Sequence, residues 1–129
     1  MAAPILDAVG VTATDMAAGM AFYTALGFEF PALTADDQRI EAKTEPGQVR
    51  LMIDAAALAE SLIGEKPRPS NGSAFALLFD SPAAVDAAAN AAQQAGGRIV
   101  SEPWDAFWGQ RYCTIADPDG YRVDLFAAL

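Results

Sequence analysis

Apolar positions recur along this chain in two rhythms, one strand-like and one helical, and they alternate. Residues Ile5 to Val11 are mostly apolar and read as a β-strand. Thr12-Ala13-Thr14-Asp15 follows, with the small oxygen-bearing side chains that open helices. Beyond it Ala18, Phe22, Ala25 and Leu26 share one face at helical spacing, and Gly27 supplies the stop. Phe28 to Phe30 begins a second strand. Arg39 to Lys43 and Val49 to Asp54 predict two more, with the turn sequence Glu45-Pro46-Gly47-Gln48 between them.

The same order starts again at Ser73. Ser73 to Phe79 predicts a strand, and Asp80-Ser81-Pro82 opens a helix with proline at its first position. Val85, Ala88, Ala89 and Ala92 form its apolar face, and Gly96-Gly97 ends it. Arg98 to Ser101, Arg111 to Ala116 and Arg122 to Ala127 read as strands, the last two joined by Asp117-Pro118-Asp119-Gly120. Proline presets that turn and glycine accepts its positive φ, so its carboxylates are expected to face solvent. Laid over each other, Ala8 matches Ser73 and Asp15 matches Asp80, while Arg50 to Ile53 matches Arg122 to Leu125. Both halves run strand, helix, strand, strand, strand. The expectation is an α+β fold, one domain over 1–129, built from two tandem βαβββ modules at 4–54 and 72–127. The linker, 55–71, holds a short helix at Ala55 to Ile63 and then a Pro- and Gly-rich stretch, where Lys66 and Arg68 read as solvated charge.

Composition narrows the functional classes. The 129 residues are 53% hydrophobic, much of it alanine, so the core is thin and a second subunit is expected to cover some apolar surface. The net charge of −9 disfavours nucleic acid and anionic membranes and attracts cations. Cys113 is the only cysteine, which excludes an internal disulfide and a cysteine-based zinc site. In a strand-like run it reads as a buried, inert thiol. The N-terminus lacks the pattern of a signal peptide and no apolar run is long enough to span a membrane, so a cytoplasmic location is expected. Histidine is absent altogether.

Two segments carry a family resemblance: Phe22-Tyr23-Thr24-Ala25-Leu26-Gly27-Phe28, and the run from Gly109-Gln110-Arg111-Tyr112 through Asp117-Pro118-Asp119-Gly120 to Asp124-Leu125-Phe126. In this order, inside a duplicated module, they resemble the vicinal oxygen chelate superfamily, which includes glyoxalase I, extradiol dioxygenases and the fosfomycin and bleomycin resistance proteins. The resemblance implies a mixed sheet that curls around a central cleft, with helices on the convex side. In metal-using relatives the first and last strands of each module carry the ligands. Here those positions fall on Ala8, Met52, Ser73 and Asp124. One aspartate among alanine, methionine and serine does not make a divalent-metal site, so neither a metal nor another cofactor is expected.

The cleft remains. Glu102-Pro103-Trp104-Asp105-Ala106-Phe107-Trp108-Gly109 reads as a loop that places three large aromatics beside it. The expected ligand contacts are Ala8, Phe30, Met52, Ser73, Trp104, Phe107, Trp108, Tyr112 and Asp124, with no catalytic residue. Asp124, facing inward, needs a partner, for which Arg50, Arg111 and Arg122 are candidates and a cationic ligand is the alternative. The leading expectation is a metal-free binding protein that sequesters a planar or cationic antibiotic-like compound, resembling bleomycin and mitomycin resistance proteins, and that forms a homodimer. The runner-up is a metal-independent isomerase or lyase using Asp124, Tyr112 or a glutamate. A third reading has the cleft bind a peptide or regulatory effector.

Overall fold

Both long helices begin where a side-chain oxygen satisfies a free backbone donor. Asp15 Oδ1 accepts from the Ala18 N–H at 3.1 Å, and Ser81 Oγ accepts from the Ala84 N–H at 3.1 Å. In the computed structural model, which describes residues 3–70, 72 and 74–129, the elements are β1 (Ala8–Ala13), α1 (Met16–Ala25), β2 (Arg39–Glu41), β3 (Arg50–Ala55), α2 (Ala56–Ile63), β4 (Phe75–Leu78), α3 (Pro82–Gln94), β5 (Arg98–Ala106), β6 (Gln110–Ala116) and β7 (Arg122–Ala128). They make an α+β fold with two sheets, ordered β1-β3-β2 and β4-β7-β6-β5. In each sheet the module's first strand runs parallel to its last, Gly10 opposite Met52 and Ala76 opposite Asp124, and the remaining pairings are antiparallel. None of the described helices is long and apolar enough to cross a membrane.

Module two has the expected βαβββ order, but module one departs from it. Phe28 to Phe30 is not a strand: both phenylalanines turn half-buried against the core, and a bond from the Lys43 N–H to the Glu29 carbonyl, 2.7 Å, ties the segment down. Pro31 follows at once and has no N–H to extend a ladder. The opposite departure occurs in β5, which continues through Pro103 to Ala106 where a loop was expected. Pro103 is tolerated because β5 is an edge strand and its pairing with β6 is irregular between Ser101 and Trp104. The pairings also refine the internal repeat. With Gly10 opposite Met52 and Ala76 opposite Asp124, Ala76 corresponds to Gly10, and Ala74, two residues earlier, corresponds to Ala8.

One core serves both modules. Phe22, Tyr23 and Ile53 from the first pack with Val85, Ile115 and Leu125 from the second, all essentially without solvent contact. Burying a side chain of that size contributes about 1.5–3 kcal/mol. The seam explains the Gly96-Gly97 pair. Gly96 adopts φ +101° past the end of α3, while a Cβ on Gly97 would come within 2.3 Å of the Phe22 ring.

The Asp117-Pro118-Asp119-Gly120 turn fastens the same seam. Asp117 is only 6% exposed, not on the solvent side, and accepts from the Tyr23 hydroxyl at 2.7 Å and from the Asp119 and Tyr121 N–H groups at 3.0 Å. Burial pushes its carboxyl above the usual range, against the opposing pull of those hydrogen bonds. Tyr23 is pushed up as well, first by burial and then by the Asp117 charge. Asp119 reaches back to module one, accepting from the Thr14 N–H at 3.2 Å and the Thr14 hydroxyl at 2.9 Å.

Candidate functional site

Strand alternation decides which side chains of the second sheet lie on the face away from α3. Cys113, Ile115, Val123, Leu125 and Ala127 are buried toward α3, so Tyr112, Thr114, Asp124 and Phe126 lie on the opposite face. Thr114 sits directly across from Asp124, and Tyr112 is flanked by Trp104 on one side and Phe126 on the other. Asp124 accepts hydrogen bonds from the Thr114 hydroxyl at 2.8 Å and from the Tyr112 hydroxyl. Its partners are thus two hydroxyls and none of the three arginines considered. Arg50 is held by Asp7 and Glu41 at 2.6 and 2.7 Å, and Arg111 by Asp86 and Asp105 at 3.0 and 3.1 Å. Burial, then the hydrogen bond to Asp124 and its charge, push the Tyr112 hydroxyl up to about 12, so it remains a donor at neutral pH.

The aromatics build an angular surface beside this carboxylate. Trp108 stands edge-on to Trp104 at 5.5 Å, to Phe107 at 4.9 Å and to Tyr112 at 5.4 Å between ring centroids. Its indole N–H donates to Gln110 Oε1 at 2.8 Å, fixing the ring, while Gly109, at φ +91°, closes the tight turn between β5 and β6. Trp104 and Trp108 remain 42% and 47% exposed, and Phe107 92%.

Among the other expected contacts, Ala8 and Met52 lie on the first sheet, on the face opposite its buried Val11, Leu51 and Ile53. Phe30 is taken up by the core, and Ser73 lies outside the described residues. No hydrogen bond among the described residues joins Ala8 or Met52 to Asp124. Sequence reasoning overlooked Thr114 and Gln110. Alternation through Tyr112 and Asp124 places Thr114 on the same face once the register is known, whereas nothing local marks Gln110 as the Trp108 partner.

The family model for the Glyoxalase/Bleomycin resistance protein/Dioxygenase superfamily matches residues 5–125. The chain belongs to that superfamily. Solved structures similar to it include a glyoxalase/bleomycin resistance protein/dioxygenase family enzyme from Burkholderia phytofirmans PsJN, at 20% identity and TM-score 0.77 over 96% of this chain and 98% of that one. A glyoxalase-related enzyme from Fulvimarina pelagi has 17% identity and TM-score 0.80 over 95% and 87%. Lactoylglutathione lyase from Agrobacterium tumefaciens has 19% identity and TM-score 0.67 over 95% and 92%. At these identities the likeness establishes the fold. No curated protein matches the sequence.

The superfamily implies a divalent metal, and the residues at the corresponding positions do not fit one. Ala8 offers no donor and Met52 only a thioether, which leaves Asp124 as a lone carboxylate where several converging donors are needed. Among the described residues no three histidine, cysteine, aspartate or glutamate side chains converge. What the arrangement provides is a carboxylate held by hydroxyls beside exposed aromatic rings.

Proposed function

We propose that this protein binds a planar, cationic, antibiotic-like compound on the aromatic face of module two and holds it unchanged, acting in the cytoplasm as a sequestering protein. The observation that carries this reading is the exposed Trp104–Trp108–Tyr112 surface next to Asp124. Large apolar surfaces left open on a small protein mark interaction sites. Ring faces stack on planar ligands, and both the rings and the carboxylate favour a cation. The bond from Trp108 to Gln110 lowers the cost of ordering the surface on binding. A net charge of −9 draws cations in from a distance. We extend the proposal to a homodimer, because Ile5 and Leu6 also lie exposed on a chain whose core is thin.

A second reading rests on the Tyr112–Asp124 pair. A carboxylate hydrogen-bonded to a phenol is able to take a proton from a substrate carbon and return it, as a metal-independent isomerase or lyase requires. Proflavine, a planar cation, separates the two when titrated against tryptophan emission and then recovered for mass analysis. Sequestration predicts quenching and an unchanged compound. No quenching would sink the aromatic site. For the second reading, a candidate substrate changed at catalytic turnover would replace sequestration with an enzyme.

A further inference from the structure

The protein has 17 acidic and 8 basic side chains, so a cation without an acidic neighbour is uncommon in it. Arg39, Lys43, Arg50 and Arg111 all form ion pairs. Lys66, Arg68, Arg98 and Arg122 form none among the described residues, and three of these four gather in one place. Arg68 and Arg122 line a groove of about 370 Å³ between the free edges of β1 and β4, and theirs are the only charges on its described wall. An adjoining groove of about 360 Å³ shares Arg68 with the first but is of mixed charge, adding Lys66 together with Glu65 and Asp54, so the purely cationic lining belongs to the first groove alone.

The groove is built, not incidental to a loose linker. Pro69 rests on the last turn of module two, so close that a Cβ on Gly120 would approach its ring at 3.3 Å, and this seats Arg68 and Ser70 against the sheet. Tyr121, half-buried, forms the wall common to both grooves. Gly10 leaves the floor open, since the nearest atom to a Cβ placed there is the Met52 methyl at 4.0 Å. Val9 and Phe75 supply an apolar flank. Two guanidiniums that share a cavity repel each other unless an anion lies between them, and their planar forks match carboxylate and phosphate oxygens.

We propose that this groove is an anion subsite that takes the carboxylate or phosphate of an organic ligand, with the ligand's apolar body on Val9, Gly10 and Phe75. It adjoins the aromatic face along β7 but is lined by other residues, so it does not depend on what the rings bind. Arg122 and Asp124 lie two positions apart on the same side of β7, about 7 Å along the strand. One ligand could therefore meet both charges.

Isothermal titration with benzoate, phenyl phosphate, inorganic phosphate and neutral benzyl alcohol tests the subsite. At least one of the two aromatic anions should bind, and whichever is tighter identifies carboxylate or phosphate as the preferred group; benzyl alcohol should not bind. Arg122→Gln and Arg68→Gln should each weaken the preferred anion roughly tenfold, the scale of one charge-assisted hydrogen bond. Gly10→Leu should block it by filling the floor with the arginines intact. Arg98→Gln, which removes an unpaired charge elsewhere, should leave affinity unchanged. Equal binding of benzyl alcohol, equal loss in Arg98→Gln, or no loss in either groove arginine variant would overturn the proposal. So would binding of inorganic phosphate alone with neither aromatic anion detected, since that is an adventitious ion site. None of these measurements reads tryptophan emission, so they stand whether or not proflavine binds.

Discussion

The two modules repeat one scaffold and put opposite chemistry on it. On the first sheet the charges are paired with one another: Arg39 with Asp54 at 2.6 Å, and Arg50 with both Asp7 and Glu41 at 2.6 and 2.7 Å. Its remaining inward positions are Ala8, Gly10, Thr12 and Met52, none of them charged or aromatic. On the second sheet the equivalent face carries Tyr112, Thr114, Asp124 and Phe126, with the tryptophan hairpin at its edge, and its carboxylate is held by neutral donors. A self-paired charge network leaves little for a ligand to add, whereas a carboxylate held by hydroxyls beside open rings keeps its charge available. The helix sides, by contrast, merge into a single core. The two halves thus share packing on the helix side and differ in what their open faces carry.

That contrast fails first if the modules are separable. Phe22→Ala removes a ring that α1 inserts against Gly97 of module two, and it should cost about 3–5 kcal/mol, as large-to-small changes in packed cores do. Denaturant unfolding followed by both tryptophan emission and far-ultraviolet circular dichroism should still show one transition, shifted as a whole. Two transitions, with only the helical signal moved, would mean that the modules fold independently.

The polar half of the seam should be worth somewhat less. Asp117→Ala strands the Tyr23 hydroxyl and two backbone N–H groups, for an expected loss of about 2–3 kcal/mol. Asp117→Asn keeps the shape and isolates the charge. Because burial raises the Asp117 pKa, the folded chain binds that proton more tightly than the unfolded chain does. The stability it contributes is complete below the unfolded pKa, about 4, and fades as pH rises through the folded value. Relative to the parent, the Asn variant should therefore gain stability as pH climbs from acid toward neutral. Parallel denaturation midpoints across that range would show that the charge at Asp117 carries no such cost.

The difference between the faces themselves is read by binding. Trp108→Ala should weaken proflavine by about 1–3 kcal/mol, the range of an aromatic anchor, while Met52→Ala on the opposite sheet should leave it unchanged. Equal losses in both variants would mean that the sheets form one shared cleft, and no loss in Trp108→Ala would remove the aromatic face from the proposed function.

How much of this was legible depends on the range of the signal. The caps at Asp15 and Ser81, the glycine stops and the existence of β6 and β7 are local signals, and they emerged from sequence. Phe28 to Phe30 has strand-like alternation, but it found a core to pack on and no partner strand, and pairing is a tertiary fact. Pro103 argued for a loop because its position on an edge strand was not visible. Asp117 was expected outside because its turn chemistry is complete without burial, whereas its partner Tyr23 lies 94 residues away. The hydroxyls around Asp124 needed the register of β6 against β7. Arg68 looked like linker charge because nothing local shows Pro69 resting on Gly120.

The smallest expected effect is also the most local. Burial is the leading cause of the raised Tyr112 pKa, and the Asp124 hydrogen bond and charge come after it. Asp124→Asn removes the charge and leaves an amide oxygen able to accept the hydroxyl, so Tyr112 should titrate below about 12 yet stay above the ordinary tyrosine value of about 10. Tyr23, which faces Asp117 in the seam, should not move. Ring-carbon NMR shifts followed through alkaline pH resolve the two residues. The sign carries over to stability: the raised Tyr112 pKa supports the fold below the unfolded value and loses that support as pH rises through about 12. An unchanged Tyr112 titration in Asp124→Asn would show that the two groups do not share a proton. The acid–base reading of this face would then lose its basis, while the stacking surface beside it would remain intact.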